Sequence, residues 1–135
     1  MDEIDRLVKE EQAAQRGRFV QGVSIDEYLA KIKKRAEFLT HYIDGRCAGF
    51  VAFYCNDPKV SQAFITLLLV SPGFRGKKVA SALLGGLLSL ARARGFATCR
   101  LEVDVENFTA IKLYEKFGFK PVLSEGATRK MVCVL

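Results

Sequence analysis

Residues 63–103 constrain the fold more than any other part of this 135-residue chain. Phe64 to Val70 is a nearly unbroken apolar run of strand length, as found in a central strand covered on both faces. Ser71-Pro72-Gly73 stops it. From about Lys77 to Arg94 the spacing predicts a helix: Val79, Leu83, Leu87 and Leu90 recur on one face, and Leu84, Leu88 and Ala91 widen the stripe. Gly95 ends the helix after the basic residues Arg92 and Arg94. Thr98 to Val103 reads as a strand again. Strand, crossover helix and strand place two parallel strands in one sheet. In open α/β sheets, ligands bind beyond the C-terminal ends of such strands.

The flanking segments add strands and helices around this unit. Residues 1–20 are polar and helix-prone, with Gly17 and Gly22 punctuating the region. Ser24-Ile25-Asp26-Glu27 reads as a capping box, and a helix follows to about Arg35 with Ile25, Tyr28, Leu29 and Ile32 on one face. Glu37–Tyr42 and Arg46–Cys55 form a hairpin around Asp44-Gly45. Asn56-Asp57-Pro58 is a turn or loop. Asn107 opens a short helix that ends near Phe117, with Gly118 as its stop. Leu113 and Phe117 are core positions. Phe119–Leu123 and Lys130–Leu135 make a last hairpin around Glu125-Gly126. The expected fold is α/β (α+β) with helices on both faces of a mixed sheet. The expected organisation is one domain, with a helical part at 1–36, a core at 37–123 and a C-terminal strand at 124–135.

Half the residues are apolar and 27% are charged, enough for a folded core in a soluble protein. No apolar run approaches the roughly 18 residues of a membrane span. The start, Met1-Asp2-Glu3-Ile4-Asp5-Arg6, lacks the features of a secretory signal, so the expectation is a cytoplasmic protein without a membrane partner. Cys47, Cys55, Cys99 and Cys133 form no Cys-x-x-Cys pair, and His41 is the lone histidine, so no metal site is expected. The thiols read as small core residues.

The net charge of +6 suggests an anionic partner. Its place is the turn Arg75-Gly76-Lys77-Lys78-Val79-Ala80, where the long helix begins. A helix start presents free backbone N–H groups and partial positive charge. Cations there cost about a few tenths of a kcal/mol each, and a bound polyanion reverses that sign. The plain alternative is a solvated basic turn. Neither Gly-x-x-x-x-Gly-Lys-Ser/Thr nor Gly-x-Gly-x-x-Gly occurs, which argues against ATP and NAD. Only Phe74 adjoins the cations, so the interleaved aromatics of a nucleic-acid surface are missing and no nucleic-acid partner is expected. Asn107, Ala110 and Tyr114 share a second helix face. The Asn amide suits a peptide-like ligand, Ala110 allows close approach, and the Tyr hydroxyl is a weak acid. The plain alternative makes Asn107 an N-cap and Tyr114 a core residue.

Taken together, the two segments resemble the GNAT N-acetyltransferase superfamily. Its cofactor signature, Gln/Arg-x-x-Gly-x-Gly/Ala, is matched by Arg75 to Ala80 after the strand ending Val70-Ser71-Pro72. Its second signature is matched by Asn107, Ala110, Tyr114, Gly118 and Phe119, after Leu101-Glu102-Val103. The resemblance covers residues 37–123 well and the first third loosely. It implies a mostly antiparallel sheet in which Phe64–Val70 and Thr98–Val103 are parallel and diverge into a V that takes acetyl-CoA. The implied cofactor residues are Leu68, Leu69, Val70, Arg75, Gly76, Lys77, Lys78, Val79, Ala80, Ser81 and Asn107. A backbone N–H near Leu68–Val70 would polarise the thioester carbonyl, and Tyr114 would protonate the leaving thiolate. Two features depart from the pattern. Lys78 replaces the central glycine; its N–H and ammonium can both serve a phosphate, while its bulk could obstruct one. The family's opening strand is not evident in residues 1–23.

The resemblance implies direct attack by an amine in a ternary complex, with a small amine as the expected acceptor. A protein N-terminus or lysine, and a catalytically silent acyl-CoA-binding module, are the alternatives. The base is not legible: Glu102 is the first candidate by position, with His41, Asp57 and Tyr54 behind it. The apolar end Met131–Leu135 can pair as an edge strand in a homodimer or lie inside the sheet.

Overall fold

Three of the four α-helices among the described residues start where a side chain takes up a free backbone donor. In the computed structural model, which describes residues 2–55, 59 and 61–135, Asp2 accepts from the Asp5 N–H at 2.8 Å and opens α1, Glu3–Ala14. Ser24 accepts from the Glu27 N–H at 3.1 Å and opens α2, Ile25–Arg35. The strands β1 (Glu37–Ile43) and β2 (Arg46–Tyr54) meet at Asp44 and Gly45, both at positive φ (50° and 77°), as a two-residue hairpin with this twist requires. Then follow β3 (Gln62–Val70), a 3-10 turn (Pro72–Phe74), α3 (Val79–Ala93), β4 (Thr98–Asp104), α4 (Phe108–Lys116), β5 (Lys120–Glu125) and β6 (Thr128–Val134).

The six strands lie in the order β1-β2-β3-β4-β6-β5, and β3 with β4 is the parallel pair. The expected mixed, mostly antiparallel sheet is thus observed. Helices α1 and α2 cover one face, where Leu7, Val8, Leu29 and Ile32 pack on Cys47, Phe50, Ala52 and Leu69. Helices α3 and α4 belong to the other face, where Leu84, Leu87, Leu88 and Ile111 join a cluster with Val51, Phe53, Ile65, Cys99, Leu101 and Met131. All four cysteines are free and buried. No helix among the described residues is long and apolar enough to cross a membrane.

One expected boundary needs adjustment, and the structure decides the placement left open at the end of the chain. The long helix starts at Val79 rather than Lys77, because Lys78 takes the left-handed conformation. The end of the chain is not an edge strand: β6 runs between β4 and β5, with Cys99 opposite Cys133 and Leu101 opposite Met131. Apolar side chains on both partners hold it inside, and β1 and β5 form the edges. At the front, α1 and α2 are present, and no strand precedes them among the described residues.

One irregularity shapes the centre of the sheet. Ala52 pairs with Leu67 and Phe53 with Ile65, which leaves Thr66 as an extra residue in β3. The bulge reverses the strand's alternation. Before it, Ala63 and Ile65 face α3 and α4. After it, Leu68 and Val70 face that side, and Leu67 and Leu69 turn toward α1 and α2. Pairing of β3 with β4 ends at this point, with Ile65 opposite Leu101. Beyond it, Leu67–Val70 stays paired with β2 and Glu102–Asp104 with β6, so the facing edges part.

Gly49 on β2 holds the far end of β3 close. A Cβ there would lie 2.7 Å from the Leu69 carbonyl oxygen and 3.2 Å from Val70 Cα. Backbone cannot yield as a side-chain tip does. Gly49→Ala is therefore expected to destabilise the fold by about 1–3 kcal/mol, read as a lower urea midpoint with an unchanged slope.

Candidate active site

A cavity of about 730 Å³ fills the gap between the parted strands. Its walls come from both faces of the sheet. Leu67–Val70 of β3 and Leu101–Val103 of β4 form the middle. Arg75, Gly76, Lys78, Val79, Ala80 and Ser81 close one end, and Asn107, Thr109, Ala110, Leu113 and Tyr114 of α4 line another side. From the opposite face of the sheet, Glu11, Gln15 and Phe19 complete it. The front segment is pinned there by Gln12, whose side chain donates to the Val20 carbonyl at 2.9 Å and accepts from the Val20 N–H at 2.8 Å.

The start of α3 is built to receive negative charge. Its first turn holds no acid, and its N-cap, Lys78, makes no side-chain cap bond. The first turn's backbone donors therefore lack a protein acceptor of the usual kind. Gly76 and Lys78 both sit at positive φ, 81° and 60°. The Lys78 value explains why the resembled pattern has glycine here: a left-handed residue with a Cβ costs about 1–2 kcal/mol. Arg75 leans across to α1, where its Nη2 stands 3.3 Å from both Glu11 oxygens. Lys77 points elsewhere. Its ammonium lies over the Phe74 ring, 5.6 Å from the centroid, and it is the one expected cofactor residue that does not line the cavity.

The α4 wall combines two readings of Asn107. Its Oδ1 accepts from the Ala110 N–H at 3.3 Å, so it is an N-cap, and its amide NH2 remains a donor at the cavity wall. Tyr114 is 7% exposed and packs edge-on to Phe119 at 5.7 Å between centroids. Burial, with the Cys99 thiol adding to it, pushes its phenol up to about 12. Glu102 also lines the cavity. Cys99, Leu101 and Val103 face α3 and α4, so strand alternation turns Glu102 to the α1 side of the sheet. It is exposed, with the Lys130 ammonium 3.9 Å away.

The remaining base candidates fall away from this place. His41 is on the edge strand β1, opposite Gly49, and does not line the cavity. Tyr54 pairs with Phe64 near the other end of β3 and does not line it either. Asp57 lies outside the described residues. Among the described residues, no group of three or more His, Cys, Asp or Glu is placed to hold a metal ion. Reading by motif missed Glu11, Gln15 and Phe19, because an acid on a polar helix and an amide at its end normally mark the solvated side, and Phe19 lies between helices with no periodic pattern to place it. It also missed the bulge, although Thr66 is the one polar residue in that apolar run.

Residues 4–119 match the model of the acetyltransferase (GNAT) family. The chain belongs to this family. It is 35% identical over 99 residues to an uncharacterized N-acetyltransferase of Methanocaldococcus jannaschii, covering 69% of this chain and 44% of that protein. It is 34% identical over 74 residues to the [ribosomal protein bS18]-alanine N-acetyltransferase of Haemophilus ducreyi, covering 55% of this chain and 51% of that protein. The chain thus spans about half the length of these relatives, or less. The fold is similar to the crystal structure of PaiA N-acetyltransferase from Thermoplasma acidophilum in complex with coenzyme A. That likeness has a TM-score of 0.78 at 20% identity and covers 98% of this chain and 91% of that one.

The strain at Lys78 is testable without a ligand. Lys78→Gly relieves the left-handed penalty and gives back part of it as backbone entropy, so a net gain of about 0.5–1 kcal/mol is expected. Urea denaturation checks it: the midpoint rises, and a lower midpoint would contradict the left-handed geometry.

Proposed function

We propose that this chain is an acetyl-CoA-dependent N-acetyltransferase, and that it transfers the acetyl group to a primary amine of a small molecule by direct attack within a ternary complex. The observation that carries this reading is the cavity between β3 and β4, which has a cation-rich helix start at one end and is lined from both faces of the sheet. The residues present fit the cosubstrate. The β3 edge at Thr66–Val70 has no strand partner on the β4 side and suits a peptide-like chain laid along it as an added strand. The α3 start, Arg75 and Lys78 suit its phosphates. Ala80, Ser81 and Ala110 are small and leave room.

Acetyl-CoA, when bound, supplies the thioester carbonyl carbon that the amine attacks. A free backbone N–H on the β3 edge stabilises negative charge on the carbonyl oxygen. Tyr114 keeps its proton through neutral pH and gives it to the departing sulfur. Glu102 faces the α1 side and takes the proton that the amine loses, directly or through water. The acceptor enters from that side, across the sheet from α3 and α4. Similarity to the Haemophilus ducreyi enzyme, named for an alanine of a ribosomal protein, favours a second reading in which the acceptor is a peptide N-terminus.

Titration calorimetry with acetyl-CoA tests the cosubstrate; absence of saturable binding at high micromolar concentration sinks the reading. Thiol release with amino sugars, amino acids and alanine-starting peptides then separates the two acceptors, and a chain that binds acetyl-CoA but releases no thiol with any of them is not an enzyme of this kind. Tyr114→Phe is expected to lower kcat about 10²-fold or more, within the usual range for general acid catalysis, and to change acetyl-CoA affinity little. Because the Tyr114 pKa is raised to about 12, its protonated form persists well above the range of an ordinary tyrosine. The kcat profile should therefore show no fall attributable to this group between pH 9 and about 11.

A further inference from the structure

We infer that Glu11 is the carboxylate that docks the incoming amine as an ammonium, and that Arg75 covers it until the phosphates of the cosubstrate draw Arg75 away. The inference rests on the reading of the chain as an acetyl-CoA-dependent N-acetyltransferase. Glu11 and Glu102 are the two acids among the residues lining the cavity, and they occupy different environments. Glu102 is half exposed at its side chain and lies near Lys130. The Glu11 side chain is only 13% exposed, held on α1 against the side of the sheet assigned above to the acceptor. A carboxylate so enclosed needs a cation or strong donors. Its partners are the Arg75 guanidinium, 3.3 Å from both oxygens, and the Gln15 amide at 3.4 Å from one.

Arg75 belongs to the other half of the site. It is the first residue of the turn that leads into α3, and its side chain remains 53% exposed. One guanidinium nitrogen shared at 3.3 Å between two oxygens is a long contact, outside the usual range for a charge-assisted bond. A pyrophosphate offers higher charge and paired acceptor oxygens at the same turn. Transfer of Arg75 to it leaves Glu11 facing the cavity with one neutral donor and no cation. A primary amine at neutral pH carries the missing charge as an ammonium. Glu11 thus binds the acceptor, and proton removal remains with Glu102. Because Arg75 cannot serve both anions at once, the coenzyme favours acceptor binding by the same factor that the acceptor favours the coenzyme.

Calorimetry with coenzyme A on wild type, Glu11→Gln, Arg75→Gln and the double variant tests the competition. Glu11→Gln keeps the size of the side chain, and an unchanged melting temperature confirms that α1 stays in place. It should bind coenzyme A about 2–5-fold more tightly than wild type, the value of releasing a partly exposed ion pair. The same substitution should change nothing when Arg75 is already Gln. Equal or weaker binding by Glu11→Gln overturns the inference. With any amine that wild type acetylates, Glu11→Gln should raise the KM for the amine about 10-fold or more and leave kcat within about 3-fold, as loss of a ground-state charge contact does. An unchanged amine KM overturns the docking role. Failure of wild type itself to bind coenzyme A would sink the functional reading instead, a result distinguishable from equal binding by the two proteins.

Discussion

A single extra residue, Thr66, determines how the middle of this molecule is used. Parallel strands that stay paired leave no room between them, and their backbone groups are spent on one another. The bulge bends β3 and switches its alternation, and its hydrogen bonds to β4 stop at Ile65. The switch also explains the two cores. Leu67 and Leu69 supply the α1/α2 side, while Leu68 and Val70 supply the α3/α4 side. Without it, the same apolar residues would face the opposite helices. The close approach of Gly49 to Leu69 and Val70 anchors the bent segment from behind.

The turn at residues 75–78 carries two unfavourable features at once. Lys78 is left-handed with a full side chain, and the α3 start is flanked by cations where helices normally place acids. Neither aids folding. Strain and like-sign charge that persist at the mouth of a cavity point to a use beyond folding. A polyanion relieves the electrostatic part directly. The pairing of Arg75 with Glu11 is the chain's partial internal substitute, made to a carboxylate from another helix at a longer distance than a committed bond would have.

Much of this was legible in the sequence. The apolar run 64–70, the helical stripe from Val79 and the Asn107 face gave the order of elements, because each follows from local periodicity. The resemblance to the GNAT pattern then placed Tyr114, Asn107 and the 75–81 turn around one cavity, where all but Lys77 are found. What local patterns could not show depends on register and long-range packing. Thr66 looks like a minor interruption until its neighbours across β2 are known. Glu11 looks like one of several acids on a polar helix until α1 is docked on the sheet. The end strand allowed two placements because an apolar stretch does not say which partners flank it, and the pairs Cys99–Cys133 and Leu101–Met131 decide for the interior.

The charges lining the cavity are divided by the sheet itself. The cations gather at the α3 start, and the two carboxylates come from the α1 side, Glu11 from the helix and Glu102 from the outward face of β4. A sheet is an effective partition because its backbone groups are paired and its side chains alternate, so a reagent crosses it only where pairing fails. Here β3 and β4 part beyond Ile65 and Leu101. An anionic donor held on one face and a cationic acceptor held on the other would therefore meet only in the gap beyond Ile65 and Leu101. The same separation keeps each charge set from neutralising the other, except, among the described residues, across the bridge between Arg75 and Glu11 at the rim where the two halves touch.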